Sequence, residues 1–280
     1  MHTTPNYAAL RQTACRLRCE VLEMIAKAAS GHPGGSLSMM EMLVALYYHT
    51  LRLNPQNPKD PLRDRFVLSK GHCAPALYAV LTDKGYFPKE ELATFRQLGS
   101  RLQGHPDKNK LPGVDASTGS LGQGASVAVG MALGAKALGN GVRVYSILGD
   151  GELQEGLVWE AAMAAAHYKL GNLTFMVDNN NLQIDGTNDE VMSLGNIGAK
   201  FAAFGFAVQE VADGNDIEQV MKALEQPAGG RPKCIVAHTV KGSGVSFMEN
   251  VCGWHGKAPS EKELEQALED LRGGGSQWNG

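Results

Sequence analysis

Apolar residues recur along the chain in two spacings, one typical of amphipathic helices and one typical of buried strands. A helix is predicted over residues 8–29 and is expected to end in the glycine-rich run 30–35, and a second helix is predicted over 38–51. The helical spacing of the first is carried by Ala14, Leu17, Val21 and Ile25. Short runs rich in β-branched and apolar residues predict strands at 65–68, 142–148, 173–177, 207–211 and 234–238.

Helical stretches separate the later strands, at residues 153–170, 197–204 and 215–228. This alternation predicts an α/β fold with a parallel sheet and helices on both faces. Ligands of such sheets bind beyond the carboxyl ends of the strands. Gly71 and Gly149 follow two of the predicted strands, so we expect loops from different parts of the chain to converge there on one crevice.

The composition argues against nucleic-acid-binding and membrane proteins. Hydrophobic residues make up 43% of the 280 residues, enough for a sizeable core, and the net charge of −3 comes without any run of Lys or Arg. We therefore expect no nucleic-acid partner. No apolar run approaches the roughly 18 residues of a membrane span, so no membrane association is expected.

Cysteine usage indicates a reducing compartment. The five cysteines are scattered and include no C-x-x-C pair, so neither a disulfide framework nor a zinc site is expected. Because residues 1–30 lack the apolar core of a secretory signal, we expect a cytoplasmic protein. The Gly-rich and polar run 273–280, which includes Trp278, is expected to be a flexible tail.

The run 149–156 leaves a predicted strand and opens a predicted helix, a geometry that offers free backbone N–H groups to a phosphate. Asp150 stands between two glycines of this run, where its charge would repel a diphosphate unless a cation lay between them. Mg²⁺ prefers oxygen ligands and is usually held by one or two protein groups together with phosphate oxygens. Asn180 follows 30 positions later, at the end of the next strand, and offers an amide oxygen. The two residues predict a Mg²⁺-diphosphate site.

The same run has simpler interpretations. A lone G-D-G favours a strand-to-helix turn in which the aspartate caps the helix and the asparagines form a polar turn. The spacing between Asp150 and Asn180 favours the metal site over that turn. A nicotinamide-dependent dehydrogenase is disfavoured, because Asp150 and the late third glycine, Gly156, do not fit the G-x-G-x-x-G pattern.

Further short motifs accompany these features in a fixed order, and together they resemble the transketolase family over nearly the whole chain. They are residues 30–35 (SGHPGG), 69–72 (SKGH), 104–106 (GHP), 118–124 (TGSLGQG), 149–156 (GDGELQEG), 178–186 (DNNNLQIDG) and 254–256 (WHG). The resemblance implies a thiamine-diphosphate-binding fold, with residues 1–272 as the diphosphate-binding domain. Ser120 departs from the many transketolases that have proline there, and the donor sugar is left open.

The resemblance also implies roles for individual residues. Asp150, Asn180 and the carbonyl of Leu182 are expected to bind Mg²⁺. The residues expected at the diphosphate are Lys70, His72, Gly151 and His255. The residues expected elsewhere around the thiamine diphosphate are Gly119 and Leu121 at the aminopyrimidine ring, Glu155 at a subunit contact, and Lys241.

Four histidines are implied to surround the reacting carbon of the cofactor, namely His32, His72, His105 and His255. Imidazole suits this task because it exchanges a proton near neutral pH and donates or accepts hydrogen bonds. The other histidines lack the glycine and proline context of these four and are interpreted as structural. Structural interpretations are also given to Cys73, as a buried thiol, and to Glu152 and Glu155, as carboxylates at a helix N-terminus.

Transketolases need a glutamate at the aminopyrimidine ring, and in the family it lies in a second domain contributed by the other subunit. No candidate for it is found in this chain. We therefore expect the N-terminal subunit of a split transketolase, which transfers a two-carbon ketol unit from a ketose phosphate to an aldose. A separate C-terminal subunit would supply the glutamate, in a heterotetramer. The alternatives are a subunit similar to 1-deoxyxylulose-5-phosphate synthase and a non-catalytic cofactor-binding subunit.

Overall fold

In the computed structural model of the chain, which describes residues 5–273, five parallel strands form one sheet. The strands are β1 (Arg65–Leu68), β2 (Val144–Gly149), β3 (Leu173–Asn179), β4 (Ala207–Val211) and β5 (Lys233–His238). Their order across the sheet is β1-β2-β3-β5-β4, and all neighbours are parallel. Each coincides with a predicted strand to within two residues, and the predicted α/β fold is confirmed.

Helices precede the first strand, connect the strands and follow the last strand. Within the described residues they are α1 (Tyr7–Ala28), α2 (Pro33–Ser38), α3 (Met40–Ala45), α4 (Ala74–Asp83), α5 (Gln123–Leu138), α6 (Gly156–His167), α7 (Asn188–Met192), α8 (Ile197–Ala203), α9 (Ile217–Glu225) and α10 (Glu261–Gly273). Short 3₁₀ turns occur at Gly71–Cys73, Lys89–Thr94, Gly151–Gln154 and Cys252–Trp254, and a π-helical turn occurs at Leu46–Thr50.

Helices cover both faces of the sheet. Successive residues of a strand point to opposite faces, so each strand contributes side chains to both cores. On β3, Met176 packs into one hydrophobic core, while Phe175 and Val177 pack into the other. The first core includes residues of α1 to α4, α9 and α10, and the second includes residues of α5, α6 and α8. Burial on both faces explains why the central strands β2, β3 and β5 are largely apolar, whereas the edge strand β4 includes the exposed Glu210.

The segment that precedes β1 differs from its prediction. The helix predicted over 38–51 is instead two short helices followed by a π-helical turn. Pro33, predicted to lie where a helix ends, begins α2, where its fixed φ and missing N–H suit the first helical turn. Gly35 permits close packing, since a Cβ there would lie 2.9 Å from Sγ of Cys73 and 3.2 Å from Nζ of Lys70.

A buried ion pair attaches α2 and α3 to α1. Arg18 donates hydrogen bonds of 2.6 Å to both carboxylate oxygens of Glu41 and also donates to the carbonyl of Leu37. Asn215 donates a further hydrogen bond to Glu41 at 3.1 Å. Arg18 and Glu41 are both buried, so each charge depends on the other for its partner. The ion pair thereby fixes the position of the segment that carries His32.

Two further expectations concern membranes and the end of the chain. Among residues 5–273, no helix combines the length and apolar character needed to cross a bilayer. The first residue of the predicted tail, Gly273, ends α10, and residues 274–280 with Trp278 lie outside the described residues. The boundary between domain and tail therefore stays a prediction.

Candidate functional site

One cavity of about 340 Å³ lies beyond the carboxyl ends of β1, β2 and β3. Lys70 and His72 reach it from the loop after β1, Asp150 from the loop after β2, and Asn180 from the loop after β3. The predicted site residues in its lining are His32, Lys70, His72, Gly119, Leu121, Asp150, Gly151, Glu155, Asn180, Leu182, Lys241 and His255. Of the predicted set, only His105 is not part of the lining.

The predicted metal ligands meet because β2 and β3 are paired up to the ends from which their loops depart. The Asp150 carboxylate accepts hydrogen bonds from the backbone N–H of Gly151, at 2.8 Å, and from that of Asn181. The side-chain oxygen of Asn180 accepts one from the N–H of Leu182 at 3.1 Å. These bonds orient the Asp150 carboxylate and the Asn180 amide, and Leu182 lines the same cavity.

The electrostatics of Asp150 favour a bound cation. Burial and the neighbouring charge of Asp178 raise the pKa of Asp150 to about 6, and a cation at the carboxylate would offset that cost. Within residues 5–273, no cluster of three or more His, Cys, Asp or Glu that could hold a metal occurs. The oxygens of Asp150, Asn180 and Leu182 fit the preference of Mg²⁺.

Lys241 connects the turn at Leu182 to the histidine cluster. Its ammonium donates to the Leu182 carbonyl at 2.9 Å and lies 3.0 Å from Nδ1 of His255. Because a protonated lysine only donates, this contact makes Nδ1 of His255 an acceptor. Lys241 places positive charge at the cavity, as an anionic ligand requires, while the charge of Lys70 is paired with Asp178.

Three of the four predicted histidines form a cluster. The ring of His32 lies 5.2 Å from that of His72 and 5.4 Å from that of His255, and the last two are stacked at 5.3 Å. Burial lowers the pKa of His32 to about 4 and that of His255 to about 3, with help from the charges of Arg96 and Lys241 respectively. Burial also lowers the pKa of His72. At neutral pH the cluster is therefore uncharged and can both donate and accept hydrogen bonds.

His105 lies at the edge of this group and is more exposed. Its ring packs on Gly119, where a Cβ would lie 2.9 Å from the imidazole and where φ is +148°. Arg96, which no sequence motif singles out, donates to Oγ of Ser30 at 2.8 Å and lies 3.5 Å from Nδ1 of His32. The fold alone brings Arg96 to His32, across 64 positions of sequence.

Glu152 corrects a prediction. The sequence pattern assigns it to the stabilisation of a helix start, but the run after β2 first forms the 3₁₀ turn and only then enters α6. Glu152 is buried, and its carboxylate accepts hydrogen bonds from Oγ of Ser69 at 2.5 Å, from N–H of Gly122 at 2.8 Å and from N–H of Gly149 at 3.1 Å. Glu152 therefore connects three loops of the site. Glu155, in contrast, is exposed at the cavity.

Asp178 opens the motif 178–186 but was given no role from the sequence, and it lies behind the cavity in contact with Lys70. It is fully buried at the end of β3, where it accepts hydrogen bonds from Ser38 at 2.6 Å and from Thr239 at 2.5 Å and pairs with the ammonium of Lys70. Its position directly before the asparagine run is the one signal in the sequence that marks it.

Comparison with known proteins identifies the family. Residues 10–273 match the family described as transketolase, thiamine diphosphate binding domain. The chain belongs to the transketolase family. Its thiamine-diphosphate-binding domain accounts for nearly all of the described residues.

Some relatives in this family are of similar length to the chain. It is 42% identical to an apulose-4-phosphate transketolase subunit of Phocaeicola vulgatus, over 91% of this chain and 90% of that protein. It is 44% identical to a 6-deoxy-6-sulfo-D-fructose transketolase subunit of Clostridium sp. (strain MSTE9), over 94% of this chain and 96% of that protein.

Other relatives are longer. Human transketolase is 40% identical over 94% of this chain, which spans only 42% of the human protein. The crystal structure of transketolase from Campylobacter jejuni superposes with a TM-score of 0.90 at 37% identity, over 96% of this chain and 43% of that one. These similarities confirm the predicted family, the fold and a transketolase-type enzyme subunit. The roles of single residues stay predictions.

Proposed function

We propose that this chain is the cofactor-binding subunit of a two-polypeptide transketolase that uses thiamine diphosphate and Mg²⁺. The observation that supports it most is the convergence, in one cavity, of the oxygen donors of Asp150, Asn180 and Leu182 with the neutral cluster of His32, His72 and His255. The reaction is the transfer of a two-carbon ketol unit from a ketose phosphate to an aldose.

The metal and diphosphate would be held by the loops after β2 and β3. Asp150, Asn180 and the Leu182 carbonyl would ligate Mg²⁺, which neutralises the buried carboxylate. Lys241 and the N–H of Gly151 face the same cavity and suit diphosphate oxygens. When bound, thiamine diphosphate supplies the nucleophilic carbon that carries the ketol unit.

The histidines would handle the substrate. Because His32 and His255 have lowered pKa values, their rings are neutral and each has one nitrogen that donates and one that accepts. Such rings orient sugar hydroxyls and move a proton at the carbonyl or hydroxyl oxygen of the sugar. His105, at the rim, would contact the sugar rather than the diphosphate.

The partner is proposed from the family and from the relatives of similar length. Two of them are named as transketolase subunits, which supports a separate C-terminal subunit that carries the activating glutamate, in a heterotetramer. Their names include apulose 4-phosphate and 6-deoxy-6-sulfo-D-fructose, so we propose a ketose with an anionic terminal group as donor. The free cysteines among the described residues agree with the proposed cytoplasmic location.

Calorimetric titration with thiamine diphosphate tests the metal site. We expect Mg²⁺-dependent binding by the wild type and a loss of at least about tenfold in affinity for Asp150→Asn, because one charged ligand is removed. The matched control is Asp185→Asn, which removes an exposed carboxylate from the same cavity and should bind as the wild type does. Wild-type affinity in Asp150→Asn would contradict the proposed ligand.

A ketol-transfer assay tests the partner. The purified chain alone should show no substantial turnover with xylulose 5-phosphate and ribose 5-phosphate. Addition of a C-terminal transketolase subunit from the same source should produce turnover with at least one anionic ketose. Substantial turnover by the chain alone would contradict the two-polypeptide proposal.

A further inference from the structure

Arg96 lies beside the histidine cluster although it belongs to no motif of the site. Its guanidinium donates to Oγ of Ser30 at 2.8 Å, and its Nη2 lies 3.5 Å from Nδ1 of His32. Among residues 5–273, Arg96 forms no ion pair with a carboxylate, and its Nε is buried without a hydrogen-bond partner. A half-buried cation is therefore held next to His32 without a counter-charge.

The surrounding backbone holds Arg96 in this position. Arg96 has a φ of +58°, in the left-handed region that is uncommon for residues other than glycine, and its N–H donates to the Leu102 carbonyl at 2.9 Å. A Cβ at Gly104 would lie 2.9 Å from Nη2 of Arg96, and a Cβ at Gly31, where φ is +151°, would lie 3.3 Å from the ring of Phe95. Uncommon backbone conformations persist where the surrounding structure imposes them, and they concentrate at functional sites. The position of the guanidinium is therefore imposed by the fold.

The contact with Arg96 determines which nitrogen of His32 carries the proton. A guanidinium has only donors and keeps its charge in proteins, so Nδ1 of His32 must accept. Burial and the charge of Arg96 lower the pKa of His32 to about 4, so the ring is neutral at neutral pH and its single proton lies on Nε2. Because His32 lines the cofactor cavity and its Nδ1 is occupied, the ring offers a ligand there a hydrogen-bond donor, Nε2–H.

His255 has the same arrangement with a second cation. The ammonium of Lys241 lies 3.0 Å from Nδ1 of His255, so this ring also keeps its proton on Nε2. The rings of His32 and His255 lie 5.4 Å apart and line the same cavity. Two such donors suit an electron-rich oxygen, such as the carbonyl oxygen of a sugar, which gains negative charge when its carbon is attacked.

We propose that Arg96 is a positioning residue for ketol transfer, which holds His32 in the Nε2–H tautomer so that the ring donates a hydrogen bond to an oxygen of the sugar. Arg96 does not line the cavity and acts through His32. This inference rests on the proposed function and deepens it, because it assigns His32 to the orientation of a sugar oxygen. The tautomer itself is a property of the chain alone.

Heteronuclear NMR of the histidine rings in the full chain tests the tautomer without cofactor, partner subunit or turnover. At neutral pH, His32 of the wild type should carry its proton on Nε2 and none on Nδ1, with its signals assigned by their absence from His32→Asn. In Arg96→Met a measurable fraction of His32 should carry the proton on Nδ1, because this nitrogen no longer accepts from a cation. A proton on Nδ1 in the wild type would overturn the proposal even if Arg96→Met failed to fold. An unchanged tautomer in folded Arg96→Met would overturn it as well.

Two matched variants separate positioning from a structural role. Arg96→Lys keeps a charged donor and should retain the wild-type tautomer. Arg101 lies in the same segment, where it pairs with Glu91 and its guanidinium lies over the ring of Phe87, so Arg101→Met removes an arginine without a change at His32.

Kinetics in the presence of the partner subunit complete the test. Arg96→Met should lower kcat for ketol transfer about tenfold, while thiamine diphosphate affinity changes less than about threefold. Arg96→Lys should recover most of the activity, and Arg101→Met should alter neither quantity. Equal losses of kcat in Arg96→Met and Arg96→Lys would show that Arg96 only supports the fold and would overturn the proposal. Absence of turnover in the wild-type complex would instead contradict the proposed function, and the tautomer of His32 is decided separately from it.

Discussion

Lys70 and Asp178 form an ion pair in which both side chains are almost completely buried, 2% and 0% exposed. Burial opposes both charges, but each partner outweighs it, so the pKa of Lys70 is raised and that of Asp178 is lowered. Lys70 also donates to the carbonyl of Gly35 at 3.0 Å. The pair thereby connects the loop after β1, the end of β3 and helix α2, which carry three sides of the cofactor cavity.

Removal of Lys70 should lower the stability of the fold, because it leaves the buried Asp178 carboxylate without its cationic partner. We expect Lys70→Met to lower the free energy of unfolding by about 3–5 kcal/mol, measured by urea denaturation without cofactor. The double variant Lys70→Met/Asp178→Asn should recover much of the loss, since the charge that lacks a partner is also gone.

The exposed pair of Lys222 and Glu218 on α9 provides the control. Lys222→Met removes the same type of charge from solvent and should change stability little. A similar loss in both lysine variants, or no recovery in the double variant, would show that the Lys70 pair is not what stabilises the site.

Four of the strands were predictable because they are short, mostly apolar and buried runs, with loops marked by glycine or asparagine. The edge strand β4 is less buried and includes the exposed Glu210. Helix α4 could not be predicted from the sequence, because nine of its residues are buried and it has no polar stripe to mark a helical period. Asp150 and Asn180 were singled out by their places after two successive strands, and the structure brings both to one cavity. Asp178 and Glu152 were not, because their partners Lys70 and Ser69 lie 108 and 83 positions away and only the fold brings them together.

Even an isosteric substitution of Glu152 should lower the free energy of unfolding. In Glu152→Gln one carboxylate oxygen becomes an NH₂ donor, which cannot accept from the N–H groups that now converge on the side chain. We expect a loss of about 1–3 kcal/mol in the free energy of unfolding. The neighbouring Glu155→Gln, at an exposed position, should leave the unfolding curve unchanged. Comparable losses in both variants would contradict the connecting role of Glu152.

Acid should destabilise the metal-free chain through the histidine cluster. His32 and His255 have folded-state pKa values of about 4 and about 3, below the ordinary value of 6.5. Between the folded-state and the ordinary pKa values, the unfolded chain therefore binds more protons than the folded chain does. The stability contributed by the neutral rings is fully present above about pH 6.5 and is lost progressively as the pH falls.

Thermal unfolding in EDTA at about pH 7.5 and about pH 5 measures this loss. His32→Asn should lose less in Tm than the wild type over the same interval, and the exposed His167→Asn should lose as much as the wild type. Asp150, whose raised pKa acts in the opposite direction, is present in all three proteins and cancels in the comparison. Equal losses in the wild type and in His32→Asn would refute the assignment.

His105 and His72 should differ in what their removal affects, because only His72 lines the cofactor cavity. With the partner subunit present, His105→Ala should lower kcat/KM for ketol transfer by about 10²-fold while thiamine diphosphate affinity changes less than about threefold. His72→Ala should lower both, since its ring stacks on His255 within the cavity and is expected near the diphosphate. The exposed His167→Ala serves as the control and should alter neither quantity. If His105→Ala weakened cofactor binding more than transfer, its position at the rim would have to be assigned to the cofactor instead of the sugar.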